Sequence, residues 1–121
     1  MPERPPFGEM AAWGSVGSLA GVGIGLGITY VALGNPADDY GAGMMLLQLG
    51  GGLSILGSAL AVWGSGSESG VGFGHAFLSS LFGSLPAAVS ASSSPYAYPF
   101  VHGFVSAGLV TWMASNRGDG E

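Results

Sequence analysis

Residues 10–34 read MAAWGSVGSLAGVGIGLGITYVALG, a stretch without an acidic or basic residue. An α-helix needs about 20 apolar residues to cross the roughly 30 Å hydrocarbon core of a bilayer, and this stretch is longer. Residues 41–64, 71–89 and 98–115 are further apolar stretches, separated by turns rich in Gly, Pro, Ser and Asp. The pattern predicts an all-α integral membrane protein in which four transmembrane helices form an up-down bundle, with residues 1–121 as one polytopic membrane domain.

The composition favours lipid as the medium around these helices. Only 7% of the 121 residues are charged and 48% are hydrophobic, whereas a soluble domain carries about 25% charged residues. Cysteine is absent, which excludes disulfides and thiolate ligands. The N-terminus lacks a basic region, and the first apolar stretch is too long for a signal peptide, so we expect it to be a retained span.

Tryptophan and tyrosine fall at opposite edges of the apolar stretches. Amphipathic rings collect where hydrocarbon meets headgroups, so both sets are predicted to be interfacial anchors, with both termini on the tryptophan side. The predicted anchors are Trp13, Trp63, Trp112, Tyr30, Tyr40, Tyr96 and Tyr98. Arg4 and Arg117 share the tryptophan side, and this bias predicts that the termini face the cytoplasm or the interior of a vesicle or virion.

The 24 glycines are predicted to be packing surfaces, because small residues let transmembrane helices approach closely. Glycines at three- and four-residue spacing place a glycine zipper on one face of the first helix, and Gly23 and Gly27 lie on roughly the opposite face. A helix with small residues on two sides can be packed closely between two neighbours, either within one chain or between copies. The predicted packing residues are Gly14, Gly17, Gly21, Gly25, Gly43, Gly50, Ser54, Gly57, Gly83 and Gly103.

Few polar residues in the spans could carry chemistry. His75 and His102 could be ligands or proton carriers, but the favoured interpretation is an interfacial histidine bonded to a carbonyl or a headgroup. Antiparallel helices would separate their depths by about 15–20 Å, so one metal or haem could not bind both. Gln48 is predicted to make an interhelical hydrogen bond. No serine has an evident base and orienting acid, so we expect no enzymatic activity, no cofactor and no metal site.

A net charge of −5 without lysine opposes direct nucleic-acid binding. It suits a high-salt cytoplasm, which favours an extreme halophile as the source, with a GC-rich genome as the alternative. In its four spans, missing lysine and short acidic tails, the chain resembles the small internal membrane protein of pleomorphic haloarchaeal viruses, the pleolipoviruses. The likeness covers the whole chain, but it is architectural, and no motif transfers a functional residue. It implies a structural, non-enzymatic role in a virion membrane.

We therefore expect a structural or assembly protein of a host-cell or virion membrane. Its partners would be the lipid bilayer and either further copies of the chain or other membrane proteins. Two alternatives stay open at this point. One is an accessory subunit of a respiratory or transport complex, and the other is a minimal channel or a holin-like pore.

Overall fold

The computed structural model describes residues 5–119 of the chain. They form four α-helices and no strand, which confirms the all-α prediction for this part of the chain. The helices are α1 (Phe7–Ala32), α2 (Tyr40–Gly66), α3 (Phe73–Ala91) and α4 (Ala97–Asp119), with one 3-10 turn at Ser67–Ser69 between α2 and α3. Their ends lie within a few residues of the predicted spans, because the Gly, Pro and Ser clusters do end the helices.

Backbone and side-chain caps explain the short connections. Gly34 ends α1 in the left-handed region at φ +100°. Its amide donates to the carbonyls of Thr29 and Tyr30 at 3.1 and 3.2 Å. A carboxylate oxygen of Asp39 accepts a hydrogen bond from the amide of Ala42 at 3.0 Å, which caps the N-terminus of α2. Gly70, at φ +87°, turns the chain before α3.

The four helices form a ring in which each packs against two neighbours. α1 packs on α2 and α4, and α3 completes the ring between α2 and α4. α2 and α4 also touch across one diagonal, whereas α1 and α3 do not pack against each other within residues 5–119. Gly17 faces Gly57 and Gly25 faces Gly50, so α1 and α2 run antiparallel.

The helix α1 approaches its two neighbours through different residues. A Cβ atom at Gly25 would lie 2.7 Å from the Cα of Gly50 on α2. Towards α4, a Cβ at Gly14 would lie 3.2 Å from the Cα of Gly103. Gly23 and Gly27 are exposed and face open space. Within the described residues the second glycine face of α1 is therefore not packed, because the second neighbour meets the edge of the first face.

Side-chain size is inverted between the inside and the outside of the bundle. The buried residues are mostly glycine, alanine and serine, with Met10, Val62, Val71 and Val110 as the larger apolar members. Large apolar side chains instead cover the outer surface. The exposed ones include Leu19, Ile24, Val31, Leu47, Leu60, Phe77, Phe82, Leu85, Val89, Phe100 and Phe104. Two helical segments, Phe7–Ala32 and Tyr40–Ser69, are long and apolar enough to cross a membrane by length and composition.

Candidate functional site

His102 lies in the interior of the bundle, where it has no exposed surface. Its Nδ1 lies 2.7 Å from the hydroxyl of Ser18 on α1. Its Nε2 lies 3.0 Å from the hydroxyl of Ser80 on α3 and 2.9 Å from the Ser80 carbonyl oxygen. The bond to the Ser80 carbonyl agrees with one of the two predicted kinds of partner, whereas burial among the helices leaves the ring no contact with a headgroup. The second turn of α4 directs this side chain towards the bundle axis, where serines on two other helices satisfy it.

The partners of the imidazole determine its tautomer. The Ser80 hydroxyl donates to the carbonyl oxygen of Ile55 on α2 at 2.6 Å, so it can only accept from His102. The Ser80 carbonyl oxygen is also only an acceptor. Nε2 must therefore carry the hydrogen, and the bare Nδ1 of the neutral ring accepts a hydrogen bond from Ser18. Every polar atom of the neutral ring is satisfied in this arrangement.

The contacts of His102 bring all four helices together. The imidazole on α4 bonds to Ser18 on α1 and Ser80 on α3, and Ser80 extends the connection to the backbone of α2. Because α1 and α3 do not pack against each other, this ring is their connection in the described part of the chain. We call His102, Ser18 and Ser80 the imidazole cluster.

Tyr98 lies next to the imidazole cluster, one turn before His102. Its ring centroid is 5.5 Å from that of His102. Its hydroxyl lies 2.7 Å from that of Ser54, which itself donates to the carbonyl of Gly51 at 2.7 Å. Tyr98 therefore donates to Ser54, and its half-buried side chain faces inwards rather than towards the rim, unlike the predicted anchor. The other six predicted anchors, Trp13, Trp63, Trp112, Tyr30, Tyr40 and Tyr96, are exposed.

Hydroxyl groups of the described helices fall into three groups. Many helical ones donate back to their own helix, as Ser15 does to the Ala11 carbonyl and Thr29 to the Gly25 carbonyl, both at 2.8 Å. The hydroxyls of Ser18 and Ser80 turn towards neighbouring helices instead. Three further buried hydroxyls have no hydrogen-bond partner, namely those of Ser58, Ser79 and Ser106. The hydroxyl of Ser106 faces the backbone of Gly83, where a Cβ would lie 2.7 Å away.

The predicted packing residues do not all meet another helix. Gly17, Gly21, Gly25, Gly50 and Gly57 lie at the contact of α1 with α2. Gly14 and Gly103 face each other between α1 and α4, and Gly83 faces α4. A Cβ at Gly43 would instead lie 3.3 Å from the Pro36 carbonyl oxygen, in the loop that precedes α2. Ser54 is buried and hydrogen-bonded to Tyr98 rather than serving only as a small packing residue.

His75 and Gln48 lie outside the imidazole cluster. His75 is exposed beside Val71, Val110 and Ala114, and about 12 Å along α4 separates Val110 from His102. The structure therefore keeps the two histidines apart. Gln48 is exposed and makes no hydrogen bond within the described residues, so the predicted interhelical bond is wrong. The reason is rotational: Gly50 turns towards α1, which directs Gln48 outwards.

The predicted partners of His102 did not include Ser18 or Ser80. Ser18 follows Gly14 by four residues and precedes Gly21 by three, so it lies on the packed glycine face of α1. Ser80 lies between Ala76 and Gly83 on a similar stripe of α3. A serine among small residues on a packed face is therefore the signal that could have found them. Arg4 lies outside the described residues, as does the side chain of Arg117, so the predicted orientation of the termini stays a prediction.

The described residues hold no group of three or more acidic or histidine side chains that could bind a metal ion. The site that this fold defines is thus a buried histidine among serines inside a bundle with an apolar outer surface. Comparison of the chain with protein-family models, curated proteins and solved structures found no match.

Proposed function

We propose that the chain is a structural integral membrane protein whose four helices all cross the bilayer and whose role is in the build-up of a membrane or virion envelope. The observation that carries this proposal is the inversion of side-chain size. In water, exposed side chains such as Val31 (91% exposed), Leu47 (71%) and Phe100 (66%) would lose the apolar burial that drives folding. In lipid they are solvated, and small interior residues allow close helix packing.

The outward-facing residues of α3 and α4 support membrane crossing by these two helices as well. Their average hydropathy is lowered by Ser79, Ser80, His102 and Ser106, but all four side chains are buried inside the bundle. The residues that α3 and α4 direct outwards are large and apolar, among them Phe82, Leu85, Val89, Phe104 and Trp112. A lipid chain would meet those outer residues rather than the interior serines. The outer surfaces therefore support membrane crossing by helices whose average composition is less apolar.

The interior supports a structural role over the channel alternative. With the ring neutral, hydrogen bonds in the imidazole cluster run from Ser18 to Nδ1, from Nε2 to Ser80 and from Ser80 to the Ile55 carbonyl. The last acceptor is a backbone carbonyl, which cannot pass a proton onward. Glycine contacts bring α1 and α2 together without room for a pore. Hydrogen bonds between helices and close packing are typical of an interior that holds helices together.

The interior also gives little support for catalysis. A serine hydroxyl bonded to an imidazole nitrogen has the composition of a nucleophile and its base. Both Ser18 and His102, however, have no exposed surface. A substrate could not reach the Ser18 hydroxyl unless α1 and α4 separated. The resemblance to the internal membrane protein of pleolipoviruses gives the proposal its specific form, a protein embedded in a virion membrane.

Reconstitution of the full chain into liposomes tests this proposal. The expected result is that the protein stays in the membrane after an alkaline carbonate wash and that proton and small-ion flux equals that of protein-free liposomes. Monodisperse protein in detergent-free buffer would contradict the membrane assignment. Flux that depends on the protein would favour the pore alternative, and copurification from source membranes with a larger complex at fixed stoichiometry would favour the accessory subunit.

A further inference from the structure

The imidazole cluster contains one position where the interior of the bundle can take up a proton. Nε2 of His102 already carries hydrogen, because both Ser80 atoms near it can only accept. Nδ1 is the free basic atom, and it accepts its hydrogen bond from Ser18 at 2.7 Å. A proton added to Nδ1 would face the hydrogen of the Ser18 hydroxyl, so the Ser18–His102 bond can persist only if its direction reverses.

A reversal of this bond needs no movement of the ring. The Ser18 hydroxyl would accept from Nδ1–H and direct its own hydrogen to another acceptor. Residue Gly14 provides a backbone carbonyl one turn earlier on α1. Ser15 and Thr29, on the same helix, already donate to the carbonyl four residues before them, at 2.8 Å in both cases. Rotation of one hydroxyl group therefore accommodates the proton.

The surroundings of His102 offer the added charge no counter-ion. The groups that face the ring are Ser18 from α1, the Ser80 side chain and carbonyl from α3, and Tyr98 from its own helix, with Ser54 and the Ile55 carbonyl of α2 behind them. None of these groups is charged at neutral pH. The acidic residues whose side chains the structure describes, Glu9, Asp38, Asp39 and Glu68, are all exposed, outside the cluster. A buried charge without a partner is strongly unfavourable.

We propose that the imidazole cluster is an acid-sensitive latch. Uptake of one proton at Nδ1 of His102 reverses the bond to Ser18, places an uncompensated positive charge between α1 and α3, and loosens the bundle. Above the titration range of this group the neutral ring holds the four helices together. The protonated ring is a buried charge without a partner, so the folded state loses stability as pH falls. This inference concerns the regulation of the bundle and does not depend on its role in a membrane.

The test is the pH dependence of unfolding of the full chain, measured by tryptophan fluorescence in mixed micelles with increasing fractions of dodecyl sulfate. The wild type should lose up to about tenfold in its folded-to-unfolded ratio per pH unit between about pH 7 and about pH 5, since one proton is taken up on unfolding. His102→Gln cannot titrate and should be much less dependent on pH over that range. His75→Gln is the matched control, because His75 is exposed, and it should behave as the wild type does.

Equal pH slopes for the wild type and His102→Gln would overturn the latch, and so would loss of the slope in His75→Gln. If His102→Gln does not fold, the protonation of the two ring nitrogens in the wild type provides the test. Nitrogen NMR of His102 at neutral pH should show a neutral ring with hydrogen on Nε2. A ring with hydrogen on Nδ1, or a charged ring, would contradict the assignment.

Discussion

Gly17 and Gly57 face each other across the contact between α1 and α2 so closely that a Cβ on either residue would overlap the carbonyl oxygen of the other. The relationship is reciprocal, and backbone atoms on both sides leave no flexible side chain to move aside. The distance between the two helices is therefore set by the absence of two methyl groups. Gly21 and Gly25 continue this contact along α1.

Replacement of Gly17 or Gly57 by alanine should separate α1 from α2. We expect Gly17→Ala to lower the free energy of unfolding by about 1–3 kcal/mol, the usual range for an overpacked interior. The measurement is unfolding in mixed micelles, followed by tryptophan fluorescence. Gly23→Ala is the matched control on the same helix, since nothing lies within 4 Å of its added Cβ. Equal destabilisation by the two variants would mean that loss of close packing is not the cause.

Removal of the Ser18 hydroxyl should weaken the imidazole cluster. Ser18→Ala leaves Nδ1 of His102 buried without a donor, which we expect to lower the free energy of unfolding by about 1–3 kcal/mol. Ser15→Ala is the control, because the Ser15 hydroxyl bonds only to a carbonyl of its own helix. Unfolding of both variants in the same micelle series provides the comparison. A Ser15→Ala variant as unstable as Ser18→Ala would contradict a specific role for the bond between helices.

Tyr98 should contribute less to the free energy of unfolding than His102 does. Tyr98→Phe removes the hydroxyl that bonds to Ser54, but Ser54 keeps its bond to the Gly51 carbonyl. We expect a loss of about 0.6 kcal/mol in the free energy of unfolding, which is the average for hydrogen bonds between membrane helices. Tyr96→Phe, at an exposed position, should have no measurable effect in the same assay. An effect of Tyr96→Phe as large as that of Tyr98→Phe would show that the contribution of Tyr98 does not come from its interior hydrogen bond.

The topology can be tested with single cysteines, because the chain contains none. Ala37→Cys and Ser93→Cys lie in the connections after α1 and α3, and Ser67→Cys follows α2; all three positions are exposed. If α2 and α3 cross the bilayer, a membrane-impermeant maleimide added to sealed vesicles should label positions 37 and 93 alike and position 67 oppositely. The same labelling at positions 37 and 67, before and after permeabilisation, would show that α2 does not cross.

The helices and their order were predictable because their boundaries are local. Gly34, Asn35 and Pro36 end one helix whatever the rest of the chain does, and Ser65–Gly70 contains the turn before α3. The glycine spacing on α1 was also readable, because periodicity alone places residues on one face. Gly23 and Gly27 are not covered within the chain, because the sequence does not show how far around a helix its neighbours extend.

The imidazole cluster could not be predicted, since it depends on the rotation of three helices about their axes. A place among small residues marks Ser18 and Ser80 as facing a neighbouring helix, but it equally marks Ser54, between Gly50 and Gly57, so it does not identify the partners of His102. Gln48 shows the same difficulty in reverse: an amide in an apolar helix suggests a buried partner, but a rotation set by Gly50 directs it outwards. Tyr98 presents the same difficulty. Its position near a helix end predicts an interfacial anchor, but the rotation of α4 directs its hydroxyl inwards to Ser54.

The position of His102 on the last helix has a consequence for biosynthesis. The ribosome synthesises α1, α2 and α3 first, and at that stage Ser18 and Ser80 lack the ring that connects them. A nascent chain that ends at Ala91 can pair α1 with α2 through glycine, but it cannot fix α1 relative to α3. The position of α1 relative to α3 can therefore be fixed only after α4 has been synthesised.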